Sequence, residues 1–149
     1  MAIMSTRRLV SLGYEGRTAE ELVAELQSES VTVLVDVRLT PLSRKPGLSK
    51  RRLAALLADS GIRYVHLGAL GNPKDNREGF RAGDPDSRSR FRRLLDERNA
   101  VQALDDISEF LDSDTVALLC FEREVGTCHR ELVAQALLAE RPALQLVEV

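Results

Sequence analysis

Aromatic residues are scarce in this chain of 149 residues: they make up 4% of it, and Trp is missing. The scarcity argues against a stacking platform for single-stranded nucleic acid, which depends on exposed aromatic rings. No apolar run approaches the roughly 20 residues of a membrane-spanning helix, so we expect no membrane partner. The apolar part of the opening "MAIMSTRRLV" is also too short for a secretory signal.

Cysteine is equally scarce. Two Cys do not make a disulfide framework, so a cytoplasmic location is expected. Nucleotide-binding fingerprints are missing as well, because neither G-x-G-x-x-G nor G-x-x-x-x-G-K-[ST] occurs.

Acidic residues are missing from one stretch, "RLTPLSRKPGLSKRR" (38–52), which carries six cations. Such a basic segment either faces solvent without a specific role or attracts an anion such as phosphate.

Hydrophobic patterning predicts a single domain over residues 1–149, in which strands alternate with helices. Strands are predicted for "RRLVSLGYEG", "VTVLVDVR", "IRYVHLG", "DTVALLCFE" and "ALQLVEV". Helices are predicted over "RTAEELVAELQ" with a capping box from Thr18 to Glu21, from a cap at Ser49 to Gly61, from Ser87 to Leu111 with a break near Asn99, and from Thr127 onward. A long polar loop, "ALGNPKDNREGFRAGDPDS" (69–87), is also expected. The order implies an α/β fold: a three-layer domain with an open, mostly parallel sheet of about five strands and helices on both faces.

Polar residues stand where the predicted strands end. The first strand ends in Tyr14 and Glu15, the second in Asp36, the third in His66 and the fourth in Glu122. Singly, each has a plainer explanation, such as a loop cap, a hydrogen-bonded core histidine or a solvated carboxylate. Because the carboxyl ends of parallel strands share one edge, where ligands bind, their joint placement predicts a site there.

The segment "LLCFEREVGTCHRELVAQAL" (118–137) contains both cysteines and one of the two histidines. If Thr127 caps the last long helix, Cys128, His129 and Arg130 fall in its first turn, beside free backbone N–H groups. A thiol in that place is expected to have a depressed pKa. An arginine beside it suits a carboxylate or phosphate.

Spacing argues against two chemistries for this segment. A zinc site would use Cys120, Cys128 and His129, but adjacent Cys and His ligands without a C-x-x-C partner fit poorly. A phosphatase-like or rhodanese-like loop requires Arg six residues after Cys. That position is Gly126 after Cys120 and Ala134 after Cys128.

Two chemistries remain open at the edge of the sheet. Carboxylates of Glu15, Asp36 and Glu122 would suit a divalent metal that assists phosphate-ester hydrolysis. The favoured alternative is a metal-free pocket, in which Glu122 or His129 acts as acid or base. The anion in this pocket would be held by three arginines, Arg38, Arg44 and Arg130.

The chain resembles the bacterial family catalogued as domain of unknown function 488. The resemblance rests on "LGYEGRTAEELVAEL", "LVDVRLTPLSRKPGLSKRRLAALLADSGIRYVHLGALGNP" and "LLCFEREVGTCHRELVA", which together extend from about Leu12 to Ala134. Leu48 departs from the Phe expected in the similar "PGFS" stretch. The resemblance implies a cytosolic α/β domain whose motif residues are Tyr14, Glu15, Asp36, Arg38, Pro41, Ser43, Arg44, His66, Gly68, Gly71, Asn72, Cys120, Glu122, Cys128, His129 and Arg130.

Residues and resemblance together favour an enzyme acting on a phosphate-bearing or other anionic substrate, related to nucleotides or nucleic acid. The catalytic candidates are Glu122, Asp36, Cys128 and His129. The candidates for binding the anion are Tyr14, Glu15, Arg38, Ser43, Arg44, His66, Asn72 and Arg130. No residue is assigned to a metal, and no cofactor is indicated. The alternatives are a non-catalytic module that binds nucleotide or nucleic acid and a redox-sensitive thiol protein.

Overall fold

The computed structural model describes residues 7–149, which form the predicted alternation of strands and helices. The strands are β1 (Arg8–Gly13), β2 (Val33–Asp36), β3 (Arg63–His66), β4 (Val116–Cys120) and β5 (Gln145–Glu148). They pair in parallel as one sheet in the order β3-β2-β4-β1-β5. The α-helices of the described residues are α1 (Ala19–Ser28), α2 (Lys50–Asp59), α3 (Arg77–Arg81), α4 (Pro85–Leu94), α5 (Arg98–Leu111) and α6 (Arg130–Glu140). The predicted α/β class with a sheet of five strands is therefore confirmed.

Helices cover both faces of the sheet, because successive side chains of a strand point to opposite sides. Val10, Leu12 and Leu34 pack with the apolar residues of α1 and α2 on one face. Leu9 and Leu118 pack with α4, α5 and α6 on the other face. Full burial of one such side chain contributes about 1.5–3 kcal/mol, so both layers are stabilised mainly by packing.

The topology opens a crevice at the carboxyl end of the central strand β4. The chain leaves β1 and β2 toward α1 and α2 on one face, whereas it leaves β4 toward α6 on the opposite face. Neighbouring strands whose connections diverge in this way leave room for a ligand between their loops. Gly13 lies beside Cys120, and Asp36 beside Leu119, so the strand ends converge there as predicted.

The long polar loop is more structured than its composition indicates. It contains the helix α3 and two short 3-10 turns at Gly68–Leu70 and Lys74–Asn76. Helix α4 begins at Pro85 instead of Ser87, because the Asp84 side chain caps it by accepting from the Asp86 N–H at 3.0 Å. The predicted break near Asn99 is present and falls at residues 95–97, just before α5 begins at Arg98.

The capping box of Thr18 and Glu21 on α1 is confirmed, and so is the start of α2 after Ser49, whereas the predicted start of the last helix at Thr127 is wrong. Ser49 occupies the cap position of α2, but its hydroxyl bonds the backbone of Ser43. Thr127 does not cap the last helix: it ends a 3-10 turn (Val125–Thr127), and its hydroxyl donates to the Glu124 carbonyl at 2.9 Å. α6 begins only at Arg130.

None of the helices in residues 7–149 combines the length and the apolarity needed to cross a bilayer. The expectation of no secretory signal concerns in part residues 1–6, which lie outside the described residues.

Candidate functional site

A cleft of about 220 Å³ opens at the carboxyl end of β4. Its walls come from the loops after β1, β2 and β4, from the turn before α6, and from the segment that contains α3. Its polar lining consists of Tyr14, Arg38, Thr40, Asn72, Arg77, Arg81, Cys120, Glu122, Thr127 and His129. The cleft therefore joins cations, a carboxylate and a thiol at the predicted edge of the sheet.

Asp36 and Arg38 form a buried ion pair below the cleft. The Asp36 carboxylate accepts hydrogen bonds from the Arg38 backbone N–H at 3.0 Å, Nε at 2.9 Å and Nη2 at 2.7 Å. It also accepts from the Tyr64 hydroxyl at 2.5 Å. Burial and this hydrogen bond to Asp36 raise the pKa of Tyr64. Asp36 is completely buried, so its oxygens face these partners and not the cleft.

Arg38 is held on its other side as well. Its Nη1 donates to the Leu48 carbonyl at 2.7 Å and to the Tyr14 hydroxyl at 3.4 Å, and its guanidinium lies 5.3 Å from the centre of the Tyr14 ring. Burial alone would lower the pKa of Arg38, but the hydrogen bonds and charge of Asp36 outweigh it and raise that pKa. Arg38 is therefore a fixed positive charge at the cleft wall, with most of its donors already in use.

Cys120, Cys128 and His129 form a buried cluster at the floor of the cleft. His129 Nδ1 lies 3.7 Å from Cys120 Sγ and 3.8 Å from Cys128 Sγ. His129 Nε2 donates to the Val37 carbonyl at 2.8 Å. Burial raises the pKa of Cys128, and the neighbouring Cys120 thiol adds to the rise. The depressed pKa expected for Cys128 is therefore wrong, because this thiol is buried beside another thiol and not exposed at a helix start.

The pKa of His129 is raised. Burial alone would lower it, but contact with the Cys128 sulfur and the hydrogen bond to the Val37 carbonyl act in the opposite direction and prevail. The ring also stands edge-on to Phe91, with the ring centres 5.2 Å apart. The Val37 carbonyl and the Phe91 ring thus fix the orientation of the His129 imidazole.

Glu122 is the carboxylate of the cleft. Its side chain retains 15% exposure and accepts a hydrogen bond from Arg81 Nη2 at 3.0 Å. Its second oxygen lies 3.5 Å from Cys120 Sγ. Burial alone would raise the pKa of Glu122, but the hydrogen bonds from its own backbone N–H and from Arg81 prevail and lower it.

The backbone of Glu122 is held separately from its side chain. Arg130 is almost fully buried, and its three guanidinium nitrogens donate to the Ser11 hydroxyl at 2.8 Å, to the Glu122 carbonyl and to the Arg123 carbonyl at 3.1 Å. A Cβ atom on Gly13 would lie 1.9 Å from the Glu122 carbonyl oxygen, so the chain passes directly over this glycine. Gly13 and Arg130 together fix the turn that carries Glu122.

Comparison with protein-family models gives one match: the model described as Domain of unknown function DUF488 matches residues 18–137, more than half of the chain. The chain belongs to the DUF488 family. The resemblance that the strand-end motifs indicated is thereby confirmed. Searches of curated proteins and of solved structures find no significant match to this DUF488 chain.

Some of the predicted site residues of this DUF488 chain meet in the cleft, whereas others lie elsewhere. Five line it: Tyr14, Arg38, Asn72, Glu122 and His129. Asp36 and Cys128 are buried behind its wall and floor. The Glu15 carboxylate accepts from the Arg123 backbone N–H at 3.0 Å, and His66 Nε2 donates to the Arg38 carbonyl at 2.7 Å.

The three arginines predicted to hold one anion do not meet. Of the three, only Arg38 lines the cleft, whereas Arg44 is exposed beside Ser43 on a separate groove of the basic segment. Arg130 lies under the turn after β4, with each nitrogen bonded to a protein acceptor. The predicted carboxylates are dispersed as well, since Glu15 and Asp36 do not line the cleft.

The cleft also has polar residues that the sequence did not single out. Arg77 and Arg81 come from the segment that was expected to be a loop. Had a helix been recognised in "REGFR", their i, i+4 spacing would have placed both on one side. Thr40 carries no comparable signal in the sequence, and Thr127 was singled out there only as a helix cap.

Proposed function

We propose that this DUF488 chain is an enzyme that binds a phosphate-bearing or otherwise anionic substrate in the cleft at the end of β4. The observation that carries the proposal is the charge of the cleft: three guanidinium groups, those of Arg38, Arg77 and Arg81, line it with a single carboxylate, Glu122. Asp36 behind the wall balances the charge of Arg38, so the excess comes from Arg77 and Arg81 against Glu122. A concave site with an excess of positive charge attracts anions and concentrates them.

Arg77 and Arg81 are the two cleft arginines that retain several unused N–H donors. Arg77 uses its Nε for the Asn72 carbonyl at 3.2 Å, and Arg81 uses one Nη for Glu122. Their remaining guanidinium nitrogens have no hydrogen-bond partner among the side chains and backbone of residues 7–149. Paired N–H groups of this kind match the oxygens of a phosphate or carboxylate.

Arg38 and Asp36 have a supporting role in this proposal. Most donors of Arg38 are already used by Asp36, Leu48 and Tyr14, so it contributes its charge more than new hydrogen bonds. Asp36 acts through Arg38 as a positioning residue. Glu122 is the carboxylate that can touch a bound substrate, and we assign the catalytic role to it.

The binding step can be tested with inorganic phosphate and pyrophosphate by isothermal titration calorimetry. Arg77→Gln and Arg81→Gln should each lower the affinity about tenfold, because a hydrogen bond to a charged group contributes about 1.5–3 kcal/mol and partial exposure reduces that. Arg44→Gln is the matched control, since Arg44 is exposed outside the cleft. Equal affinities for wild type and all three variants would refute the proposed site.

The catalytic step requires a separate assay. Nucleoside monophosphates, nucleoside triphosphates and pyrophosphate are incubated with the full chain, and released phosphate is measured. Any turnover found should be lost in Glu122→Gln while phosphate binding is retained. Turnover that persists in this variant would remove Glu122 from the proposed mechanism.

A second candidate function concerns the basic segment 38–52. Arg44, Lys50, Arg51 and Arg52 are exposed around a groove at the start of α2 and form no ion pair with the described residues. Four free cations on one surface suit the backbone of a nucleic acid. This alternative predicts binding without turnover.

The salt dependence of binding distinguishes the two candidate functions. Binding of a labelled oligonucleotide to the basic segment should weaken steeply with salt, with a slope of about −0.7 to −0.9 per phosphate contact. The double substitution of Arg51 and Arg52 by Gln should flatten that slope, whereas Arg77→Gln should leave it unchanged. A slope that follows Arg77 instead would assign the nucleic acid to the cleft.

A further inference from the structure

The cluster at the cleft floor has the composition of a transition-metal site. Cys120 Sγ, Cys128 Sγ and His129 Nδ1 all lie within 4.8 Å of one another, and all three residues are buried. Two sulfurs and one imidazole nitrogen are a set of ligands that zinc prefers over harder cations such as Mg²⁺.

The two sulfur–nitrogen separations agree with tetrahedral zinc. Bonds of about 2.3 Å to sulfur and about 2.1 Å to nitrogen place S and N ligands roughly 3.6 Å apart in a tetrahedron. The two S···Nδ1 distances to His129 are 3.7 Å and 3.8 Å. The two sulfurs are thus nearly equidistant from the nitrogen, which the formation of a disulfide between them would not require.

The second nitrogen of His129 is bonded as in a metal-bound histidine. Nε2 must carry the proton, because its partner at 2.8 Å is the carbonyl oxygen of Val37, which only accepts. In the neutral ring the Nδ1 lone pair therefore faces the two sulfurs. Ligand histidines almost always donate their other N–H to a carbonyl or carboxylate, which fixes the tautomer and the ring orientation.

Cys128 and His129 are adjacent in the sequence, which argued against a zinc site. The backbone conformation nevertheless allows both side chains to face one point. Cys128 is extended, with φ −119° and ψ 139°, whereas His129 is helical, with φ −61° and ψ −19°. In a continuous strand the two side chains would point to opposite sides. The change of conformation between them turns both toward Cys120 instead.

From this geometry we infer that Cys120, Cys128 and His129 bind one Zn²⁺ ion at the floor of the cleft. Two thiolates would neutralise the charge of the ion, which suits a buried position. Three protein ligands leave a fourth position for water, as in catalytic zinc sites. Cys120 and His129 line the cleft, so that position is accessible from it. The inference goes beyond the anion site and does not depend on it, since none of the three ligands is an arginine.

The test measures zinc itself. The full chain is reduced, freed of metal with a chelator and titrated with Zn²⁺ against a chromophoric competitor. We expect one Zn²⁺ per chain. Substituting Co²⁺ should give thiolate charge-transfer absorption in the near ultraviolet and the intense visible bands of tetrahedral cobalt. The cobalt spectrum uses the wild-type chain, so it does not depend on how any variant folds.

Three variants then identify the ligands. Cys120→Ser, Cys128→Ser and His129→Asn should each lower zinc affinity by more than about 100-fold, because loss of an outer-shell partner alone costs about 10–100-fold. His66→Asn is the matched control. His66, the other histidine of the chain, bonds the Arg38 carbonyl outside the cluster, so its substitution should leave zinc affinity unchanged.

Two outcomes would overturn the inference. In the first, zinc binds, but the three ligand substitutions affect its affinity no more than His66→Asn does, which places the ion elsewhere. In the second, the reduced chain takes up no zinc and Cys120 and Cys128 close to a disulfide in air, which makes the cluster a redox pair. Phosphate binding is measured on the same metal-free samples, so failure of the anion site would be recorded separately.

Discussion

Arg81 and Glu122 form an ion pair across the cleft, with Arg81 Nη2 3.0 Å from Glu122 Oε1. The pair joins the short helix α3 to the turn after β4. A bound anion would compete with Glu122 for the same guanidinium. The carboxylate therefore limits how tightly the cleft holds a negative ligand.

Glu122→Gln should for this reason raise the affinity for inorganic phosphate. We expect an increase of about 1.4- to fivefold, which corresponds to the roughly 0.2–1 kcal/mol of a partly exposed ion pair. Calorimetric titration with phosphate measures it. Arg81→Gln in the Glu122→Gln background is the control, and it should abolish the gain. An unchanged or weaker affinity in Glu122→Gln would contradict the competition.

Gly13→Ala should disrupt the turn that carries Glu122. The added Cβ would lie 1.9 Å from a backbone oxygen, so the backbone itself must move. We expect a loss of at least about 3 kcal/mol in the free energy of unfolding, at or above the upper end of the usual cost of overpacking. Denaturation in urea measures it.

Gly126→Ala is the matched control for that experiment, because a Cβ there meets no atom within 4 Å. Its effect should stay within about 0.5 kcal/mol. Equal effects of the two substitutions would show that the close approach at Gly13 is not what requires a glycine.

Asp36→Asn should destabilise the chain strongly, because it leaves the Arg38 guanidinium buried without its counterion. Removal of one partner from a buried pair costs about 3–5 kcal/mol. Tyr64→Phe removes only the neutral donor to the same carboxylate and should cost about 1.5 kcal/mol. Urea denaturation of both variants provides the comparison. An Asp36→Asn variant as stable as Tyr64→Phe would indicate that Arg38 finds another acceptor.

The two thiols should differ in reactivity in the reduced, metal-free chain. Cys120 lines the cleft with 5% exposure, whereas Cys128 lies below the surface with 1% exposure. Reagents reach a buried thiol only when the structure opens locally. Iodoacetamide labelling followed by peptide mass spectrometry should therefore show Cys120 modified first, with both reacting much faster in urea. Faster labelling of Cys128 would support the alternative of a redox-sensitive thiol protein with Cys128 as its reactive group.

Much of the fold could be predicted because it depends on local patterns. The β-branched run of β2 and the capping box at Thr18 each specify their element without distant contacts. The convergence of Asp36, Cys120 and Glu122 at one edge follows from parallel pairing alone. Those are the features on which the sequence and the structure agree.

The remaining features depend on contacts between distant segments. α3 lies in a stretch dense in Gly, Pro, Asn and Asp, and Asn76 supports it by donating to Asn72 and to the Ser87 carbonyl. Likewise, only the folded chain shows that each guanidinium nitrogen of Arg130 already bonds Ser11 or one of two carbonyls. A linear sequence gives residue types, but it does not show which hydrogen-bond donors are already occupied.

The main chain and the side chain of Glu122 are anchored by different elements, Arg130 of α6 for the carbonyl and Arg81 of α3 for the carboxylate. The carboxylate that could react and the backbone turn that carries it are therefore held independently of each other. Exchange of the side chain at residue 122 would leave the hydrogen bond from Arg130 to the backbone carbonyl in place. The turn that presents this position therefore does not depend on the carboxylate.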